Sequence, residues 1–157
     1  MYFIEDTRQK KEKHEIKNQW WGSNGHKVLR CKLPFGDYAP PPPIAIDTKE
    51  NMSEIANNIG VAKDHKRFRE ELKLAQLHGC KLIILIENDE NIRSISDVER
   101  WRNPRLSYSK TAITGDRLAK SMRTMEMRYG VEFKFCAPEE AGEIIVNLLE
   151  EYNGRMD

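Results

Sequence analysis

The longest unbroken apolar run in the chain is Leu82-Ile83-Ile84-Leu85-Ile86, held between Lys81 and Glu87. A run of that length with no polar interruption reads as a central strand covered on both faces, and residues 81–87 are expected to form the spine of a sheet. Shorter runs predict the flanking strands. Tyr2-Phe3-Ile4 reads as a buried strand that ends in Glu5-Asp6-Thr7-Arg8. Residues 27–33 alternate, with Val28, Arg30 and Lys32 on one side and Leu29, Cys31 and Leu33 on the other. Residues 44–49 and 131–136 complete the set. Elsewhere the apolar period lengthens to that of a helix. Helices are expected over 10–21 with Ile16 and Trp20 one turn apart, over 53–59, over 64–78 with Phe68, Leu72 and Ala75 on one face, and over 95–101. Two more are expected from Thr114 to Tyr129, with Leu118, Met122, Met125 and Tyr129 buried, and from Pro138, with Ile144, Ile145, Leu148, Leu149 and Tyr152 facing inward before Asn153-Gly154.

Strands alternating with helices indicate an α/β domain with a mixed central sheet flanked by helices. The run Pro40-Pro41-Pro42-Pro43 cannot donate to a ladder or continue a helix, so it must be a surface connection. It is short enough for the strands on either side to pair as an antiparallel hairpin. Residues 88–114 are polar and contain Asn103-Pro104, which marks them as a long, substrate-facing excursion.

At 157 residues the length suits one domain, with 39% hydrophobic and 32% charged residues and no apolar run near the length of a membrane span. The short acidic start does not resemble a secretory signal, and a cytoplasmic protein with no membrane association is expected. Cys31, Cys80 and Cys136 are far apart, with no C-x-x-C spacing and no matching histidine pair among His14, His26, His65 and His78, so they read as reduced core residues rather than zinc ligands. The net charge of +1 hides an uneven distribution. Residues 8–32 and 100–128 each carry eight basic against two acidic side chains, whereas 138–157 carries six acidic against one basic. Two basic segments and an acidic tail suit one polyanion-facing side. Within the second segment Arg100, Arg102 and Arg105 surround Trp101, a combination suited to contacting DNA.

The chemistry gathers on residues 44–49. Residues two apart on a strand point the same way, so Asp47 and Lys49 share a face and Thr48 points to the other. Asp37, in Gly36-Asp37-Tyr38, lies ten residues earlier, and the proline connection can return it beside them. Two convergent carboxylates bind a hard divalent ion, and magnesium suits one or two carboxylates plus waters. Such an ion makes a bound water more acidic and polarises a phosphate, while Lys49 offsets the charge that builds during attack. Spacing alone also fits an exposed polar strand face and a turn aspartate.

Taken in order, Glu5-Asp6-Thr7-Arg8, Gly36-Asp37-Tyr38 and Ile46-Asp47-Thr48-Lys49 resemble the nuclease domain of the XPF-type structure-specific endonucleases, within the PD-(D/E)XK superfamily. Asn57-Asn58-Ile59, His65-Lys66-Arg67-Phe68, Glu71, Ala75-Gln76 and Leu82 to Glu87 extend the resemblance over roughly the first ninety residues, as far as the central strand. The chain especially resembles the small stand-alone versions found in bacteria and phages. The resemblance implies a restriction-endonuclease-like core and a metal-dependent DNA endonuclease acting in repair, recombination or phage DNA metabolism. It implies magnesium, with manganese as a substitute, on Asp37 and Asp47; a catalytic Lys49; supporting acidic groups at Asp6 and Glu54; and phosphate contacts from Arg8 and Arg67. It further implies a homodimer through the later helices and a preference for branched, flapped or junction DNA. Where the family's strand usually reads Glu-Arg-Lys, this chain has Asp47-Thr48-Lys49, and the tandem helix-hairpin-helix domain that often accompanies the nuclease is not expected. Two other classes stand beside this reading: a catalytically idle nuclease-like module that binds DNA or a partner, and an α/β module for a small phosphate ligand. Retention of Asp37, Asp47 and Lys49 counts against the first, and the lack of a Gly-rich loop after the first strand counts against the second.

Overall fold

The computed structural model describes residues 1–10, 12 and 15–153. Lys11, Lys13 and His14 of the expected first helix, and Gly154 of the last helix's stop signal, lie outside the described residues. The chain is α/β and divides into two compact units, Met1–Pro42 and Pro43–Asp157. The division falls inside the proline run, where Pro40, Pro42 and Pro43 are exposed. No helix among the described residues is long and apolar enough to cross a membrane.

In the first unit, strand β1 (Tyr2–Asp6) is the middle of a three-stranded sheet. Helix α1 (Glu15–Ser23) carries the chain across to β2 (Lys27–Cys31), which pairs parallel to β1, and β3 (Tyr38–Ala39) pairs antiparallel on the other side. The helix buries none of its residues fully, and the face expected to be apolar, Ile16 and Trp20, is exposed. Trp21 makes the packing contact instead, edge-on to Phe3 at 4.9 Å and to Tyr38 at 5.5 Å, an arrangement favoured by the ring quadrupoles. Trp20 stacks on His26 at the surface. Cys31 is exposed, not a core residue, because β2 is an edge strand.

In the second unit β4 (Ile44–Lys49), β5 (Lys81–Glu87) and β6 (Glu132–Cys136) form a wholly parallel sheet with β5 in the middle. Ile83, Leu85, Ile84 and Ile86 have no accessible surface, as a strand covered on both faces requires. On one face Ile84 and Ile86 join the main core with α2 (Met52–Gly60), α3 (Ala62–Leu77) and α5 (Gly115–Tyr129). On the other, Ile83 and Leu85 meet α6 (Ala141–Asn153), with Leu148 buried and Leu149 more exposed than its position in the stripe suggested. The hairpin expected across the proline run does not form. β2 takes β1 as its parallel neighbour and β4 takes β5, because each pair is joined by helical crossovers that leave the strands running the same way.

Residues 88–114 are more tightly held than an open excursion. The helix expected over 95–101 stops as α4 (Ile95–Val98), since Trp101 turns into the core. Buried Asn88 closes a loop by donating to the Ile92 carbonyl and accepting from its amide, and buried Asn103 donates to the Ile113 carbonyl. The end of the segment runs into Gly115, where a Cβ would stand 2.4 Å from the Val98 carbonyl and 2.5 Å from that of Trp101. Backbone carbonyls cannot swing aside as side chains can, so only glycine lets α5 begin here. Gly115→Ala should therefore destabilise the protein by about 1–3 kcal/mol, the usual cost of overpacking a closed contact. Thermal melting checks this, and an unchanged midpoint would show the contact to be pliable.

Candidate active site

Each unit holds part of the sequence-derived constellation, and each part is built around a charge that the fold removes from water. In the first unit that charge is Asp6. Its side chain is buried at the end of β1, and both oxygens are fully engaged. Oδ1 accepts from the Arg8 amide and Nε, and Oδ2 accepts from Arg8 Nη2 and the Leu33 amide, each at 2.7 Å. The Arg8 side-chain bonds outweigh the cost of burial and hold the Asp6 carboxyl far below its ordinary value. Arg8 is raised in return, chiefly by Asp6 and further by the charge of Asp37. With all its acceptors used, Asp6 ties residues 6–8 to Leu33 and serves as a positioning residue.

Asp37 is exposed and sits in a turn that Gly36 permits with φ +74°. The Asp6 amide donates to the Asp37 carbonyl at 2.8 Å, and Gln9 Nε2 donates to Asp37 Oδ1. The carboxylate is thus presented by the strand end that Asp6 organises. The other acid at this strand end, buried Glu5, pairs with Arg30 at 3.1 Å across the parallel register.

In the second unit, Asp47 and Lys49 lie on the β4 face that meets α2 and α3, as their spacing requires. Lys49 Nζ stands 2.8 Å from Asp47 Oδ2 and 3.9 Å from Glu54 Oε1, and lies over the Phe68 ring at 5.6 Å. The lysine is 8% exposed, so these groups replace most of its hydration. Asp47 Oδ2 is buried and meets Lys49 at ion-pair distance outside hydrogen-bond geometry. Glu54 is fixed by the start of α2: Asn51 caps the helix by accepting from the Glu54 amide at 2.8 Å, and Glu54 Oε2 accepts from the Glu50 amide at 2.7 Å. A carboxylate at a helix N-terminus also gains from the helix dipole.

Glu71 was not among the sequence-derived site residues. Burial pushes its carboxyl up, the negative charge of Asp47 pushes it further, and Lys49 and Arg67 oppose them. Its signal was present in the helical spacing, since Arg67, Phe68 and Glu71 are three and four apart on α3 and face one site. Among the described residues, no three of His, Cys, Asp and Glu are gathered in a metal-ligating group. A hexahydrate-derived magnesium site needs only one or two carboxylates. The buried Oδ2 of Asp47, with hard oxygen donors around a displaceable ammonium, fits that demand.

The remaining candidates divide. Arg67 is exposed, 3.9 Å from Asp64, and Arg100 is exposed, 3.7 Å from Asp97. Arg102 is exposed, and Arg105 is half-buried and donates to Asn57 Oδ1 at 2.8 Å. Trp101 is not a surface ring for DNA: it is 5% exposed in the main core, its indole N–H donated to Glu90. His65 spends Nδ1 on the Ile59 carbonyl at 2.9 Å.

No family model and no curated protein matches the chain. Among solved structures it is similar to XPF from Aeropyrum pernix in complex with DNA, with 18% identity and a TM-score of 0.47 over 98% of this chain and 65% of that one. It is also similar to a second structure of XPF from Aeropyrum pernix, with 19% identity and a TM-score of 0.48 over 99% of this chain and 66% of that one. This chain therefore spans just under two thirds of the length of those chains.

The ion pair on Asp6 gives stability a defined pH dependence. A depressed carboxyl stabilises the fold above the unfolded value, about 3.8, and that contribution is lost as pH falls through the lower folded value. Asp6→Asn should melt lower than wild type at pH 7, with the gap narrowing in acid below about pH 3.8. A gap that stays constant across melts from pH 2 to 7 would show that the charge of Asp6 contributes nothing.

Proposed function

We propose that this protein is a divalent-metal-dependent DNA endonuclease that hydrolyses phosphodiester bonds, with magnesium as its ion and manganese as a substitute. The observation that carries the reading is the Asp47–Lys49 pair: a nearly buried ammonium 2.8 Å from a carboxylate, at the carboxyl end of a parallel strand where α/β proteins place their ligands. The order of Asp37, Asp47 and Lys49, resembling the XPF-type nuclease, supports it.

Hydrolysis adds water across one P–O bond, so a proton leaves the attacking water and negative charge grows on the phosphoryl oxygens. A bound ion would supply Lewis acidity and a more acidic water. Asp47 would hold that ion, with Glu54 beside it on the α2 cap; the family resemblance adds Asp37. Lys49, already stripped of most of its water, offers its protons to the growing charge, where a preorganised donor acts most strongly. Phe68 and the α2 cap keep it in place. Arg8, Arg67, Arg100, Arg102 and Arg105 are proposed phosphate contacts. A preference for branched or flapped DNA is carried by the resemblance alone, and exposed Thr48, where the family has arginine, is the position to vary. Homodimerisation is proposed on the same ground, and a clean monomer in sedimentation would remove it.

Linear, flapped and four-way DNA incubated with magnesium test the central reading. Wild type should cut at least one of them, and Asp47→Asn and Lys49→Gln, each checked for folding by melting, should cut about 100-fold more slowly or worse. Binding without cutting by wild type would make the protein an idle DNA-binding module, and an Asp47→Asn as fast as wild type would remove the site. The ligand set is tested by calorimetric titration with manganese: Asp37→Ala and Asp47→Ala should each weaken binding, whereas an unchanged affinity in Asp37→Ala would confine the ion to the second unit.

A further inference from the structure

Residues two apart on a helix lie about 200° apart, so while Arg67 and Glu71 of α3 face the Asp47 site, His65 and Arg69 face the other flank, toward α5. Three adjoining hollows of about 230, 320 and 290 Å³ begin on that flank and continue past the end of α2 to residues 103–113. The first two share Lys120 and Ser121, and the second and third share Gly60, Thr111 and Ile113. No carboxylate lines any of them, yet Arg69, Arg105, Arg117, Lys120 and Arg128 do. In a chain with 25 acidic against 26 basic residues, such segregation is not the outcome of composition.

Three of these cations are also unpaired with any acid. Among the described residues, Arg69, Lys120 and Arg128 form no salt bridge, and Arg69 Nε is buried without a hydrogen-bond partner. The larger hollow along β6 and α6 differs in kind: its Arg93, Arg123 and Lys134 are paired with Glu140, Glu99 and Glu132. On α5 the positions 117, 120, 124 and 128 fall three and four apart, a stripe about 16 Å long, enough to follow several phosphates of one strand.

We propose that this trough, which starts between α3 and α5 and continues past the end of α2, is a second binding site for a nucleic-acid phosphate backbone, which anchors the substrate on the flank of α3 opposite the cleavage site. It rests on the nuclease reading for the identity of its polyanion. Arg117, Lys120 and Arg128 contact phosphates, and Arg69 adds its positive charge from the lining.

Binding of a labelled duplex in chelator, followed by anisotropy across a salt series, tests the trough apart from chemistry. The double variant Lys120→Glu/Arg128→Glu should bind at least about tenfold more weakly and lose about 2 from the salt slope, near one for each phosphate released. Arg123→Glu, on the same helix with its cation already paired to Glu99, should leave the slope as in wild type. If the double variant melts early, Lys120→Gln/Arg128→Gln replaces it. An unchanged slope in a folded double variant, equal losses from Arg123→Glu, or no duplex binding by wild type overturns the trough. Cleavage that persists in magnesium alongside an unchanged slope leaves the nuclease reading standing, and a slope that depends on the trough without any cleavage sinks only the nuclease reading.

Discussion

An ammonium held almost out of water is the constraint around which the second unit's chemistry is arranged. Lys49 at 8% exposure cannot be hydrated as a surface lysine is, and leaving it unpaired would cost several kcal/mol, as for any buried ion stripped of its partner. Asp47 at 2.8 Å, Glu54 at 3.9 Å and the face of Phe68 together replace that water. Each comes from a different element, so the strand, the capped start of α2 and the inner face of α3 must all be in place for the lysine to be tolerated. A site that needs three elements to hold one charge is also preorganised to meet a charge arriving from outside.

The first unit solves a related problem with a carboxylate. Asp6 is buried and uses all its acceptor capacity on Arg8 and the Leu33 amide, and its own amide fixes the Asp37 carbonyl. Its role is therefore architectural, and the exposed Asp37 is left as the acid that can engage a ligand. Two aspartates close in sequence role but opposite in environment take different tasks, because only the one facing water retains free lone pairs.

Much of the fold was legible because periodicity reports burial directly. The apolar run 82–86 became the fully covered middle strand, and the stripe Leu118, Met122, Met125 became the inner face of α5. The spacing of Asp47 and Lys49 placed them on one face, and the structure adds the partners that give this meaning. What was not legible depended on tertiary pairing. Strand partners across the proline run could not be read from its length, and β2 and β4 each joined a parallel neighbour instead of one another. Trp101 looked like a surface aromatic among arginines because the core residues it packs with, and Glu90, which accepts its indole N–H, are not signalled by the local pattern. Arg69 was overlooked because a charged residue on a polar helix carries no periodic signal of its own, and Glu71, although spaced with Arg67 and Phe68, takes its meaning only from the Asp47 and Lys49 charges that act on it.

Under the proposed function, the carboxylate paired with Lys49 is a metal ligand for phosphodiester hydrolysis. A crystal structure of the wild-type protein soaked in manganese, with anomalous data collected to locate the ion, tests it most directly. The ion should appear as a peak within about 2.0–2.4 Å of an Asp47 carboxylate oxygen, with Lys49 drawn away from its present contact. Manganese bound elsewhere, with Asp47 and Lys49 still paired as they are now, would contradict it.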